Sequence, residues 1–203
     1  MKHFIENEIK LLIPESLYKK LYQTAMDLHG KTFCQTNYYF DTDNFLLAKN
    51  KCALRVREVN KSYIATLKTG SVILDQSLSS DEYNKTLTDS QAKKLLCGNI
   101  YITDVFPELI KMTGIKNEVV SYQGSLTTYR TVFQPIPGIT QPELDRNIYH
   151  DVEDYELEWE YSEMIEYQTI MSWLQTYGLN PIDYPTKSKY GRFVDYLHLS
   201  RSH

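Results

Sequence analysis

Apolar and polar residues alternate through much of this chain. In FIENEIKLLI, Ile5, Ile9, Leu11 and Ile13 share one parity, while Glu6, Glu8 and Lys10 share the other. Period two is the signature of a β-strand with one apolar and one charged face. The same alternation returns in CALRVREV, SYIATLKTG and DYELEWEY. The first two of these flank NKS and read as a hairpin. TFCQTNYYF, SVILDQSLS and EVVSYQGSLTTYRTVFQPIP read as further strands, with Gly124 marking a bulge or turn in the last.

Helical spacing replaces this pattern in several places. After Pro14, Leu17, Leu21, Ala25 and Leu28 recur at helical intervals, with Gly30 expected as the C′ residue. SQAKKLLC and VFPELIKMTG, between Ser90 and Gly114, read as helical. MIEYQTIMSWLQTYG is expected to bury Tyr167, Ile170, Met171, Leu174 and Tyr177 and to end at Gly178. DTDNFLLAKN reads as a short polar turn or helix, and the tail KSKYGRFVDYLHL as a short helix. Roughly eight strands, mostly in antiparallel runs with helices inserted, indicate an α+β fold. There is no internal repeat or low-complexity linker, so residues 1–203 are expected to form a single domain.

The charged strand faces raise the functional question. Glu6, Glu8 and Lys10 form one row, Arg55 and Arg57 a second, and Thr66 and Lys68 a third. Glu156, Glu158 and Glu160 form a fourth row, and Arg130 sits in a further strand. Same-face neighbours on a strand are roughly 7 Å apart, where like charges repel by ~2 kcal/mol at an effective dielectric near 20. Facing water, such rows are tolerable and make an ordinary sheet packed on helices. Facing inward, they line a polar barrel with helices outside, and each sign of charge then needs the other. An interior holding both signs suits a metal-bound polyphosphate. Carboxylates suit Mg²⁺ or Mn²⁺, and Arg and Lys clamp phosphate oxygens.

Composition narrows the field. The net charge of −4 over 203 residues argues against non-specific nucleic-acid binding, which needs a basic footprint. Cys34, Cys52 and Cys97 are odd in number and far apart, and read as buried free thiols of a reducing compartment. No Cys/His cluster suggests zinc. No signal peptide and no run near ~20 apolar residues is present, so a soluble cytoplasmic protein with no membrane partner is expected. DTDNFLLAKNKC superficially resembles a calcium loop but lacks Gly at its sixth position and Glu at its twelfth.

The ordered set ENEIK, YYFDT, ALRVR, TLK, YELEWE and KSKYGRF, spanning Glu6 to Phe193, resembles the CYTH family, also called triphosphate tunnel metalloenzymes. YFDTDNFLLAKNKCALRVR and YQGSLTTYR are most similar to the bacillus-type members. The resemblance implies a closed antiparallel barrel of eight strands with a hydrophilic tunnel, and therefore charged faces turned inward. It implies a small-molecule triphosphate substrate and a divalent metal.

By motif, Glu6, Glu8, Glu156 and Glu158 would be metal ligands, and Glu158 or Asp145 would orient the attacking water. Lys10, Arg55, Arg57, Lys68 and Arg130 would bind phosphates, with Lys187, Lys189 and Arg192 closing over them from the tail. Glu160 is either a further ligand or a neighbour. Many members carry an Arg two residues before a Glu in the strand after TLK. This chain has VILDQSLSSDEY there and no Arg, leaving Asp75 or Glu82 as the acid. The implied activity is metal-dependent triphosphate hydrolysis. The alternatives are an adenylate cyclase and a non-catalytic polyphosphate or nucleotide binder. A homodimer is compatible with the apolar outer strands.

Overall fold

The computed structural model describes residues 2–74, 77–98, 100–107, 118–185 and 187–200. The strands are β1 (Lys2–Ile13), β2 (Lys31–Asp41), β3 (Ala53–Val59), β4 (Ser62–Leu74), β5 (Ser77–Leu87), β6 (Ile100–Tyr101), β7 (Val119–Val132), β8 (Glu143–Tyr149) and β9 (Val152–Glu160). The helices are α1 (Glu15–Asp27), α2 (Leu46–Lys49), α3 (Asp89–Cys97), α4 (Ile102–Val105), α5 (Met164–Thr176) and α6 (Lys189–Ser200).

The strands run in the order β2-β3-β4-β5-β1-β9-β8-β7, and β7 pairs back onto β2. Every ladder is antiparallel. Eight strands therefore close into the barrel expected from the motifs, leaving no free edge among them. The short β6 pairs only with the start of β7.

Local chemistry explains the turns. Asn60 and Lys61 both take positive φ, 49° and 62°, as a two-residue type I′ turn between β3 and β4 requires. The β2–β7 register shifts beside Tyr39 and Phe40, opposite Gly124 and Tyr122, so the expected bulge is present. Gly124 has φ 144°, and a Cβ there would lie 2.7 Å from Phe193 Cζ. Three expectations need correction. His29, not Gly30, takes the left-handed position after α1 (φ 57°). Gly30 is instead required for space, since a Cβ would meet the Ala25 carbonyl oxygen at 2.8 Å. SVILDQSLS is not one strand: Ser71–Leu74 continue β4, and β5 starts at Ser77. Asp75 lies outside the described residues, as does most of VFPELIKMTG. Of the cysteines, all free, Cys52 is buried but Cys34 and Cys97 are exposed.

The apolar strand faces point outward and are covered by helices. Ile9, Leu11, Ile13, Leu144, Leu157 and Trp159 pack with Leu21 and Ala25 of α1 and with Ile170 and Leu174 of α5. Leu54, Val56, Ala65 and Leu67 pack with Leu47 of α2, Ala92 and Leu95 of α3, and Ile102 and Val105 of α4. Ile5 also points away from the charged row but stays 69% exposed, beyond the reach of these helices.

A third apolar cluster joins Tyr39, Leu126 and Tyr149 to Tyr190, Phe193, Val194 and Leu197 of α6. Tyr39, Leu126 and Tyr149 continue the parity of Asn37, Thr128 and Asn147, so they face the barrel interior, and α6 closes that end. None of the described helices is long and apolar enough to cross a membrane.

Candidate active site

Strand parity turns the charged rows inward. Glu8 is 4% exposed, and the Lys10 side chain 9%, whereas Ile9 and Leu11 face the outer core. Register then sets each acid beside its neighbours. Lys10 stands opposite Glu158, Arg130 opposite Asp145, and Lys68 opposite Glu82. Lys10 bonds Glu158 and lies 3.2 Å from Glu8 and 3.5 Å from Glu156. Arg130 grips Asp145 through Nε and Nη2, at 2.8 and 2.6 Å, and reaches Glu158 and Glu143. Lys68 bonds Glu6 and lies 3.2 Å from Glu82, which Arg55 approaches at 3.8 Å.

Three register pairs set acid against acid: Glu8 with Glu160, Asp145 with Glu156, and Glu143 with Glu158. Side chains directly opposite lie only about 5 Å apart, so like charges there repel. The tail helix answers two of these pairs. Lys189 Nζ lies 2.9 Å from Asp145, 2.6 Å from Glu156 and 2.8 Å from Glu158. Arg192 bridges Asp154 and Glu156 at 2.9 and 3.0 Å. Lys187, by contrast, is two-thirds exposed and pairs with Asp195 at 2.7 Å, away from the tunnel. Glu160 is exposed at the open mouth.

These surroundings set the protonation states. Burial opposes the charge on Glu156, but Lys10, Lys189 and Arg192 outweigh it and hold its carboxyl at about 2. Glu158 is likewise held well below the usual range, where Lys10, Lys189 and Arg130 overcome burial. Glu82 falls to about 2 because Arg55 and Lys68 outweigh its burial. Glu8 goes the other way: burial lifts it to about 7, despite Lys10. Arg57 is lowered to about 10 by burial and by Arg55 and Arg130 beside it.

Among the described residues, Gln35 Nε2, Asn37 Nδ2 and Arg55 Nε are buried side-chain polar atoms with neither a hydrogen-bond partner nor an ion pair, whereas Glu8 Oε1 and Lys189 Nζ meet opposite charges at 3.2 Å and at 2.6–2.9 Å. All belong to inward-facing rows or to the helix end inserted between them. Buried polar atoms are nearly always paired, so such a concentration is the pattern a ligand-binding tunnel would leave. Carboxylate atoms of Asp145, Glu156 and Glu158 lie within 4.8 Å of one another. These three form an all-oxygen donor set, the kind that hard divalent cations take.

The structure thus brings together Glu6, Glu8, Lys10, Arg55, Arg57, Lys68, Arg130, Asp145, Glu156, Glu158, Lys189 and Arg192, and leaves Lys187 out. Of the two acids considered after TLK, Glu82 joins the set through Lys68 and Arg55, and the structure adds Gln35, Asn37, Glu143 and Asp154. Parity in β2 and β8 was the available signal for most of these. In β8 the outward row Leu144, Arg146, Ile148 is interrupted by a charge that pairs with Glu153 on the surface, which hides the alternation.

The CYTH domain family model matches residues 5–184. A Bacillus subtilis protein named "Putative triphosphatase YjbK" is 31% identical over 201 residues, covering 96% of this chain and 97% of that protein. The crystal structure of a "putative adenylate cyclase" from Bacillus halodurans superposes with a TM-score of 0.75 at 30% identity, covering 95% of this chain and 99% of that one. A Hippeastrum protein, HpAC1, described as a "putative adenylyl cyclase" with a dominant triphosphatase activity, has the same fold. Its TM-score is 0.76 at 22% identity, over 94% of this chain and 95% of that one. With its charged rows turned inward and matched over nearly its whole length, this chain belongs to the CYTH domain family.

Proposed function

We propose that this protein hydrolyses a triphosphate, either inorganic tripolyphosphate or a nucleoside triphosphate, in the tunnel and with Mg²⁺ or Mn²⁺. The observation that carries this reading is the cationic wall of β3. Arg57 is half-buried with no carboxylate within ion-pair distance among the described residues, beside the buried, unpaired Nε of Arg55. Buried guanidinium groups left without an anion are costly unless a ligand supplies one. Membership of the family and the 31% identity to YjbK support the same reaction class.

In this reading Lys10, Arg55, Arg57, Lys68, Arg130, Lys189 and Arg192 hold the phosphate oxygens and neutralise them as the transition state spreads charge. Lys187 drops out of this set, because its ammonium faces Asp195 at the surface. Glu6, Glu8, Glu156 and Glu158 would hold the metal. When bound, a divalent cation there supplies positive charge to the phosphate chain and acidifies water for attack.

Glu158 or Asp145 would orient an attacking water in line with the terminal phosphorus. The new P–O bond forms as the bridging P–O bond breaks, releasing orthophosphate and the shortened chain. Catalysis rests on positioning and charge.

Phosphate release from tripolyphosphate, ATP and GTP, each with Mg²⁺, Mn²⁺ or a chelator, tests the proposal. Metal-dependent release of orthophosphate supports it. Cyclic AMP as the product of ATP, or tight binding with no turnover, overturns it.

A further inference from the structure

Asn37 and Gln35 have no assigned part in the reaction, yet both break a rule of protein interiors. They are 0% and 4% exposed, and the amide nitrogen of each lacks a hydrogen-bond partner. A buried amide N–H with no acceptor costs free energy that a purely structural side chain would avoid. Both lie on the inward face of β2, in line with Tyr39, whose ring packs on Tyr190 and Phe193 of α6.

Their orientation follows from the neighbours. Arg57 Nε donates to Asn37 Oδ1 at 3.1 Å, across the register pair that joins β2 to β3. A guanidinium can only donate, so this bond fixes which end of the amide is oxygen and leaves the NH₂ as the free end. Gln35 stands opposite Thr128 on β7. The Thr128 hydroxyl donates to Asn147 Oδ1 at 2.7 Å, and Gln35 Nε2 makes no hydrogen bond to its oxygen.

From this geometry we infer that Asn37 and Gln35 are substrate-binding residues, neutral N–H donors that extend the Arg55–Arg57 phosphate cradle along β2. The inference rests on the triphosphate reading above. Asn37 has a second task, holding the Arg57 guanidinium in place through its carbonyl. Neutral donors fit this wall because Arg55, Arg57 and Arg130 already crowd it with like charge. An amide adds a hydrogen bond to a phosphate oxygen without adding repulsion when the tunnel is empty.

Calorimetric titration of the full chain with inorganic tripolyphosphate in chelator, paired with thermal melts, tests this on wild type, Asn37→Asp and Gln35→Met. Asn37→Asp keeps the acceptor for Arg57 but replaces the donor by an anion. Gln35→Met keeps the volume and deletes the donor. Both variants are expected to bind roughly tenfold or more weakly, the loss expected for a hydrogen bond to a charged group. Their melting temperatures should stay level or rise, because each change relieves an unpaired buried group.

Unchanged affinity in both variants overturns the inference while the triphosphate reading stands. Weakened binding together with a lowered melting temperature also overturns it, since that marks the amides as structural. A wild type that does not bind tripolyphosphate overturns the reading and the inference with it.

Discussion

The Tyr190 phenol donates to Asp41 Oδ2 at 2.6 Å, joining the end of β2 to the first turn of α6 across 149 residues. Asp41 is fully buried and also accepts the backbone N–H groups of Leu47 and Ala48, at 2.8 and 3.0 Å. One carboxylate therefore anchors both α2 and the helix that carries Lys189 and Arg192 into the tunnel. Tyr190→Phe should cost about 1.5–3 kcal/mol in urea unfolding, the usual loss for a hydrogen bond to a charged group. It should also weaken tripolyphosphate binding, by loosening α6. Unchanged stability would show that the apolar contacts of Tyr190 hold α6 unaided.

Two tunnel arginines should respond oppositely to truncation. Arg130 is enclosed by Glu143, Asp145 and Glu158, and Arg130→Met would leave the buried Asp145 and Glu158 carboxylates short of a cation. A loss of about 3–5 kcal/mol is expected in metal-free unfolding. Arg57 has burial and repulsion from Arg55 and Arg130 against it. Arg57→Met should leave metal-free stability level or higher, yet raise the KM for the triphosphate. Equal destabilisation by both variants would contradict the lack of a carboxylate beside Arg57, whose guanidinium donates only to the Asn37 carbonyl among the described residues.

Stability of the metal-free protein should depend on pH in two opposite senses. Burial raises Glu8 from 4.5 to about 7, so the folded chain keeps a proton that the unfolded chain releases. Its contribution is full below about pH 4.5 and is lost as pH rises through about 7. Glu82 and Glu156 are depressed from 4.5 to about 2 by nearby cations acting against burial. Their contribution is present above about pH 4.5 and is lost as pH falls through about 2. Urea unfolding in chelator should therefore show falling stability between about pH 5 and 7, a fall that Glu8→Gln makes shallower while Glu160, raised to about 8 by partial burial and by Glu6, keeps the remainder. A wild-type curve rising across that window would contradict the burial of Glu8 as the dominant influence on its carboxyl.

The barrel was legible because its charged and apolar rows alternate cleanly. Ile9 and Leu11 against Glu8 and Lys10, or Leu157 and Trp159 against Glu156 and Glu158, report two faces whichever way they point. Which face lies inside came from the ordered motifs, since an amphipathic strand has the same period in a sheet and in a barrel. β8 escaped notice because Arg146 interrupts its outward row. Lys189 and Arg192 were named, but their entry through the barrel end is set by Tyr190 and Phe193 packing on Tyr39, Leu126 and Tyr149, which no local period encodes. Asn37 and Gln35 stayed hidden because an amide in a strand is unremarkable until its partners are counted. Lys187 fell outside because it precedes α6 and turns toward Asp195 on the surface.

The central claim is that the inward face of β1, and not its outward face, belongs to the reaction. The most direct test is phosphate release from tripolyphosphate with saturating Mg²⁺ by wild type, Glu8→Gln and Ile5→Gln. Glu8→Gln should lose roughly a hundredfold or more in rate while unfolding cooperatively at an equal or higher temperature, because burial already disfavours the Glu8 carboxylate and lifts it to about 7 despite Lys10. Ile5→Gln, on the exposed outward face, should keep the wild-type rate. Full activity in Glu8→Gln, or an equal loss in both variants, would contradict the account.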